Sequence, residues 1–71
     1  MKLNDFLKDY RLDRGLNQDD VAKLIGLTRV TYNGLESGRT KSVSVTTLQK
    51  LSNFTGKTIA EIREMLNENN E

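Results

Sequence analysis

Residues 29–39 read RVTYNGLESGR, and two incompatible structures can be written for them. Val30, Thr31 and Tyr32 are β-branched or aromatic, and Asn33-Gly34 is a dipeptide that favours a tight hairpin turn. The same residues also suit a single helix. Thr28 stands where a capping hydroxyl is needed, Leu27 can pack over the first turn, and Tyr32 and Leu35 share an inward face. A hairpin needs a second strand after Gly34. Residues 35–42, LESGRTKS, supply one apolar residue and no alternation, so the hairpin has only one arm.

The flanking sequence favours the helix. Gly15, Gly26, Gly38 and Gly56 divide the chain at intervals suited to short helices. Before Gly15, Leu3, Phe6, Leu7 and Tyr10 fall at helical spacing. Asn17 can cap a second helix whose first turn holds Asp19 and Asp20, where the dipole favours acids. Val21, Leu24 and Ile25 are its expected apolar stripe, with Ala22 small enough for close contact. Ser44 can cap a fourth helix with Val45, Leu48, Leu51 and Phe54 expected inside. Thr58 to Glu61 form a capping box for a fifth, striped by Ile59, Ile62, Met65 and Leu66. The fold class predicted is all-α, a five-helix bundle around one core. Residues 67–71 are polar and expected to fray.

Composition narrows the chemistry. A chain of 71 residues is one domain near the lower limit for folding without staples. Cysteine and histidine are both absent, which leaves no disulfide and no ordinary zinc ligand set. No apolar run approaches the roughly 18 residues of a membrane span. The opening MKLNDFLKDY has acids where a signal peptide needs an apolar stretch, so a cytoplasmic location is expected. Asp19 and Asp20 are adjacent carboxylates, but helix neighbours point about 100° apart and make no acid–base pair. With no glycine-rich phosphate loop either, no enzyme activity, cofactor, metal or small-molecule substrate is expected.

Net charge is +1, yet its distribution is uneven. Residues 1–22 are net −1 and residues 58–71 net −3, whereas residues 23–57 carry six bases against Glu36 alone. A basic middle between acidic ends suits a polyanionic partner, although chance clustering on a solvated surface gives the same pattern.

Residues 15–39, GLNQDDVAKLIGLTRVTYNGLESGR, resemble the helix-turn-helix of the phage-repressor family, also called Cro-like or XRE-like. The likeness rests on Gly15-Leu16, Gln18, Ala22, Gly26 with Leu27 and Thr28, and the run Leu35-Glu36-Ser37-Gly38-Arg39. It extends more weakly over about residues 3–66, which mark residues 1–66 as the helix-turn-helix domain and 67–71 as its tail. The resemblance implies that the second and third helices form the motif, with the third lying in the major groove of DNA.

It also implies roles for individual residues. Arg29, Val30, Asn33 and Gly34 fall where the family contacts bases. Arg29 can donate to guanine O6 and N7, Val30 can meet a thymine methyl, and Asn33 can pair with adenine. Each has a plainer alternative: a solvent-exposed or phosphate-bound arginine at Arg29, a phosphate contact or none at Asn33, and a loosely packed surface residue at Val30. Gly34 has two accounts, close approach of the helix backbone to DNA or a site that tolerates glycine. Gln18, Thr28, Ser37, Arg39, Thr40 and Lys41 fall where the family holds sugar-phosphate, contacts that position without specifying. Lys23, Lys50 and Lys57 read as solvated bases. Arg11 and Glu36 are implied as a largely buried ion pair. Tyr32 is expected to pack inward with its hydroxyl emerging at the edge.

The function implied is a sequence-specific transcriptional regulator, expected to be a repressor that binds a palindromic operator in double-stranded DNA as a homodimer. The face of Ile62, Met65 and Leu66 is the candidate dimer surface, although Ile62 suits the core of the single chain better. The alternative is an antitoxin or partner-binding subunit, in which a protein partner is primary and the acidic C-terminus serves it.

Overall fold

The computed structural model describes residues 1–69. Five α-helices succeed one another: α1 (Leu3–Asp13), α2 (Gln18–Ile25), α3 (Arg29–Ser37), α4 (Val45–Thr55) and α5 (Ile59–Asn69). Among the described residues there is no strand, and Asn33-Gly34 lies inside α3. The all-α expectation holds, and the hairpin reading of residues 29–39 does not.

Polar side chains set where the helices begin. The Thr31 amide donates to Thr28 Oγ1 at 3.1 Å and the Thr47 amide to Ser44 Oγ at 3.2 Å. Thr58 and Glu61 exchange two bonds of 3.1 Å as a capping box. Asn17 and Asp20 make a second box, at 2.8 and 3.0 Å, where the sequence suggests only the single cap at Asn17. Each cap satisfies amides that the helix start leaves open and contributes about 1 kcal/mol. Gly26 ends α2 at φ 75°, a conformation that a β-carbon resists. There the Leu27 amide reaches back to the Ala22 carbonyl at 2.9 Å, and Lys50 Nζ donates to the Gly26 carbonyl at 3.1 Å. Lys50 thus closes the turn between α2 and α3 rather than standing as a merely solvated base.

The stripes converge on one core. α1 packs on α3 and α5, α2 on α3 and α4, and α4 on α5. Leu3, Leu7, Val21, Ala22, Ile25, Tyr32, Leu35, Leu48, Leu51, Ile62 and Leu66 are buried together, with Leu27, Phe54, Ile59 and Met65 packed against them. Full burial of each large side chain is worth roughly 1.5–3 kcal/mol.

Several expectations need correction. Leu24 is exposed, because it lies about 160° around α2 from the buried Ala22. Val45 is also exposed: it is the first residue of α4, and the buried stripe starts one turn later at Leu48. Ile62 and Leu66 are consumed by the core of this one chain, so the candidate dimer face retains only the partly buried Met65. The Tyr32 hydroxyl does not emerge at an edge, since the whole side chain is buried. Helix α5 runs past Leu66 to Asn69, so residues 67–69 are helical where fraying was expected; residues 70 and 71 lie outside the described residues. Asn69 Oδ1 accepts the Asn4 amide at 3.4 Å, and Glu68 pairs with the terminal ammonium at 2.9 Å, tying this end of α5 to α1.

Candidate nucleic-acid interface

Helix α3 turns its buried side, Tyr32, Leu35 and Glu36, toward the protein and leaves Arg29 and Val30 outside. Val30 is 78% exposed, which a core role cannot explain. Arg29 Nε lies 3.8 Å from Asp19 Oδ1, a pair in which both side chains are more than half exposed. Such a pair contributes little to stability and can be exchanged for another anion. Arg29, Val30, Asn33 and Arg39 line one shallow concavity.

A chain of hydrogen bonds runs from the protein interior to that concavity. Arg11 meets Glu36 with two bonds, Nε to Oε2 at 2.7 Å and Nη2 to Oε1 at 3.0 Å, and its Nη1 donates to the Leu16 carbonyl at 2.9 Å. The side chains of the pair are 12% and 4% exposed, so the implied buried ion pair is present. Gln18 Nε2 donates to Glu36 Oε1 at 3.3 Å. Asn33 Nδ2 then donates to Gln18 Oε1 at 3.0 Å, and Arg39 Nη2 donates to Asn33 Oδ1 at 2.6 Å. Gln18 and Asn33 are therefore held by the fold before any ligand arrives.

The electrostatics result from this packing. Burial pushes the Glu36 carboxyl upward, but hydrogen bonds from Arg11 and Gln18, with the Tyr32 hydroxyl close by, outweigh it and hold the pKa below the ordinary 4.5. The bond to Glu36 raises Arg11 in turn. Burial first, and the adjacent Glu36 carboxylate second, push the Tyr32 phenol far above its ordinary 10.0. That hydroxyl lies in the field of Glu36 but makes no hydrogen bond of ordinary geometry among the described residues.

The remaining candidates divide. Gly34 is buried, and its carbonyl accepts the Thr40 amide at 3.2 Å. A β-carbon at Gly34 would stand 2.7 Å from Thr40 Oγ1. The approach of the chain's own loop thus gives a structural reason for the missing side chain, and Gly34 offers no side chain to a base. Thr28 spends its hydroxyl on Thr31, accepting from the amide and donating to Oγ1 at 2.9 Å. Thr31, exposed and not singled out in the sequence, can pass its own hydroxyl proton outward. Ser37 donates to the Gly34 carbonyl at 3.3 Å, and Arg39 and Lys41 are exposed on the loop after α3. Thr31 bonds the cap of its own helix, whereas the acceptors of Gln18 and Asn33 depend on side chains brought together from α2, α3 and the loop. The spacing within any one helix could not reveal them.

Comparison with known proteins agrees with this geometry. A family model described as Helix-turn-helix matches residues 7–62. Over 56 residues the chain is 43% identical to the transcriptional repressor RstR of the cryptic phage CTXphi from Vibrio cholerae, a match covering 79% of this chain and 50% of that protein. The chain thus spans about half the length of the curated relative it matches. No solved structure matches it significantly. The matched span takes in α2, the turn at Gly26 and α3 in full, and the chain belongs to the phage-repressor, XRE-like helix-turn-helix family.

Proposed function

We propose that this chain is a sequence-specific DNA-binding transcriptional regulator, a repressor that acts as a homodimer on a palindromic site with α3 in the major groove. The observation that carries the reading is the first turn of α3. It is fixed to the core by Tyr32 and Leu35, yet presents Arg29 and a 78% exposed Val30 on its outer side. The guanidinium can satisfy guanine O6 and N7 together, and the valine suits a thymine methyl. Backbone amides at the start of α2 beside Gln18, with Ser37, Lys41 and Thr31, suit phosphate positions flanking the groove. The likeness to a phage transcriptional repressor supports the direction of regulation.

Two half-sites about one helical turn apart would give so short a reading helix adequate specificity. Selection of bound duplexes from a randomised pool at about 150 mM salt tests the reading. Enrichment of a two-fold symmetric site is expected. Weak binding that enriches no sequence and fades as salt rises would overturn it.

A further inference from the structure

Arg39 stands outside α3, on the loop after it, where the family resemblance suggests only a phosphate contact. Its side chain instead folds back onto the recognition helix, with Nη2 2.6 Å from Asn33 Oδ1, and it lines the concavity shared with Arg29 and Val30. Two features place it there. Gly34 lets the loop close on α3, with the Thr40 amide on the Gly34 carbonyl and Thr40 Oγ1 over the α-carbon. Gln18 holds the other end of the Asn33 amide, so Oδ1 is turned toward Arg39 and Nδ2 away from it. We infer that Arg39 is a second specificity-determining residue, reading a guanine in the major groove, and that Asn33 is a positioning residue that aims it rather than a reader of adenine.

The chemistry is consistent with that division. A guanidinium carries five N–H donors in a fixed plane, and Asn33 takes one of them, leaving others for the two acceptors of a guanine edge. A phosphate can be met from several directions around its oxygens, whereas the O6 and N7 edge of a guanine accepts a guanidinium in one plane only. The bond to Asn33 restricts that plane, which serves recognition of a planar base edge better than it serves a phosphate. Gln18 and Arg39 take one donor and one lone pair of the Asn33 amide and fix its orientation, so an adenine could use only the remaining pair in the plane those bonds impose. Arg29 and Arg39 then flank Val30 and Asn33 as two readers, and the protein compensates for the side chain that Gly34 lacks.

The inference rests on the proposed DNA-binding function, and the test separates the two. Affinities are measured for the selected duplex and for duplexes changed one base pair at a time, with the unaltered chain, Arg39→Ala and Asn33→Ala. One guanine per half-site, distinct from the position governed by Arg29, should show a preference of about 5- to 150-fold in the unaltered chain. That preference should fall to near unity in Arg39→Ala while the others persist. Asn33→Ala should weaken the preference at that same guanine, and the double variant should lose no more than Arg39→Ala alone. Asn33→Asp, whose carboxylate can still accept from Arg39, should retain it. Equal loss of affinity by Arg39→Ala on every duplex would reduce Arg39 to a phosphate contact and overturn the inference alone. Lost preference for an adenine in Asn33→Ala would assign reading to Asn33 and overturn it as well. An unaltered chain that distinguishes no duplex would overturn both readings.

Discussion

The Glu36 carboxylate accepts from Arg11 and Gln18 and borders the buried Tyr32 hydroxyl, so one side chain joins α1, α2 and α3. Glu36→Ala would leave the Arg11 guanidinium largely buried without its partner, and a loss of about 3–5 kcal/mol is expected in urea unfolding at neutral pH. The same pair gives a pH signature. Because the folded pKa of Glu36 lies below 4.5, its contribution is complete above that value and is lost as pH falls through the folded value. Tyr32 works in the opposite direction. Its folded pKa lies above 10.0, so its contribution is complete below 10.0 and declines as pH rises beyond it. Tyr32→Phe removes a buried hydroxyl that has no ordinary hydrogen bond, and should cost about 1 kcal/mol or less near neutral pH. It should also flatten the decline in stability on the alkaline side, which urea midpoints at about pH 8 and pH 11 would show.

At the scale of elements, α3 and the loop after it are fitted to each other through Gly34. Alanine in a helix interior is favoured over glycine by about 1 kcal/mol, but here its β-carbon would meet Thr40 Oγ1 at 2.7 Å. Gly34→Ala alone is therefore expected to destabilise, by forcing the Thr40 side chain from its place against α3. In a Thr40→Ala background the same substitution should stabilise by up to about 1 kcal/mol. Thermal unfolding of the four proteins closes this cycle, and a Gly34→Ala that stabilises the unaltered chain would show that the loop yields freely. The helical state of α3 was legible from Thr28, Tyr32 and Leu35, as were the caps at Asn17, Ser44 and Thr58, because these signals lie within a few residues of one another. The reason for Gly34 was not legible, since it sits six residues downstream in a loop whose path no local pattern states. Leu24 and Val45 show a second limit. Period gives the direction of an apolar stripe but not how far around or along the helix the core reaches.

For the whole molecule, five helices within 28 × 20 × 20 Å leave Arg29, Arg39 and Lys41 exposed on α3 and the loop beyond it, while the acid nearest them in sequence, Glu36, is buried. Charge distribution in the sequence pointed to this region, but which bases share a surface depended on how α2, α3 and the loop pack. Lys41→Ala should lower DNA affinity by a similar factor on all duplexes and reduce the slope of log affinity against log salt by about 0.9, without altering sequence preference. The central claim, that α3 and the loop after it form the DNA-binding surface, is tested most directly by titrating the isotope-labelled chain with its selected duplex and tracking backbone amide resonances. Perturbations concentrated at Gln18 and residues 28–41, absent at the same concentration of a scrambled duplex, are the result predicted. Perturbations centred on α5, or equal with both duplexes, would contradict it.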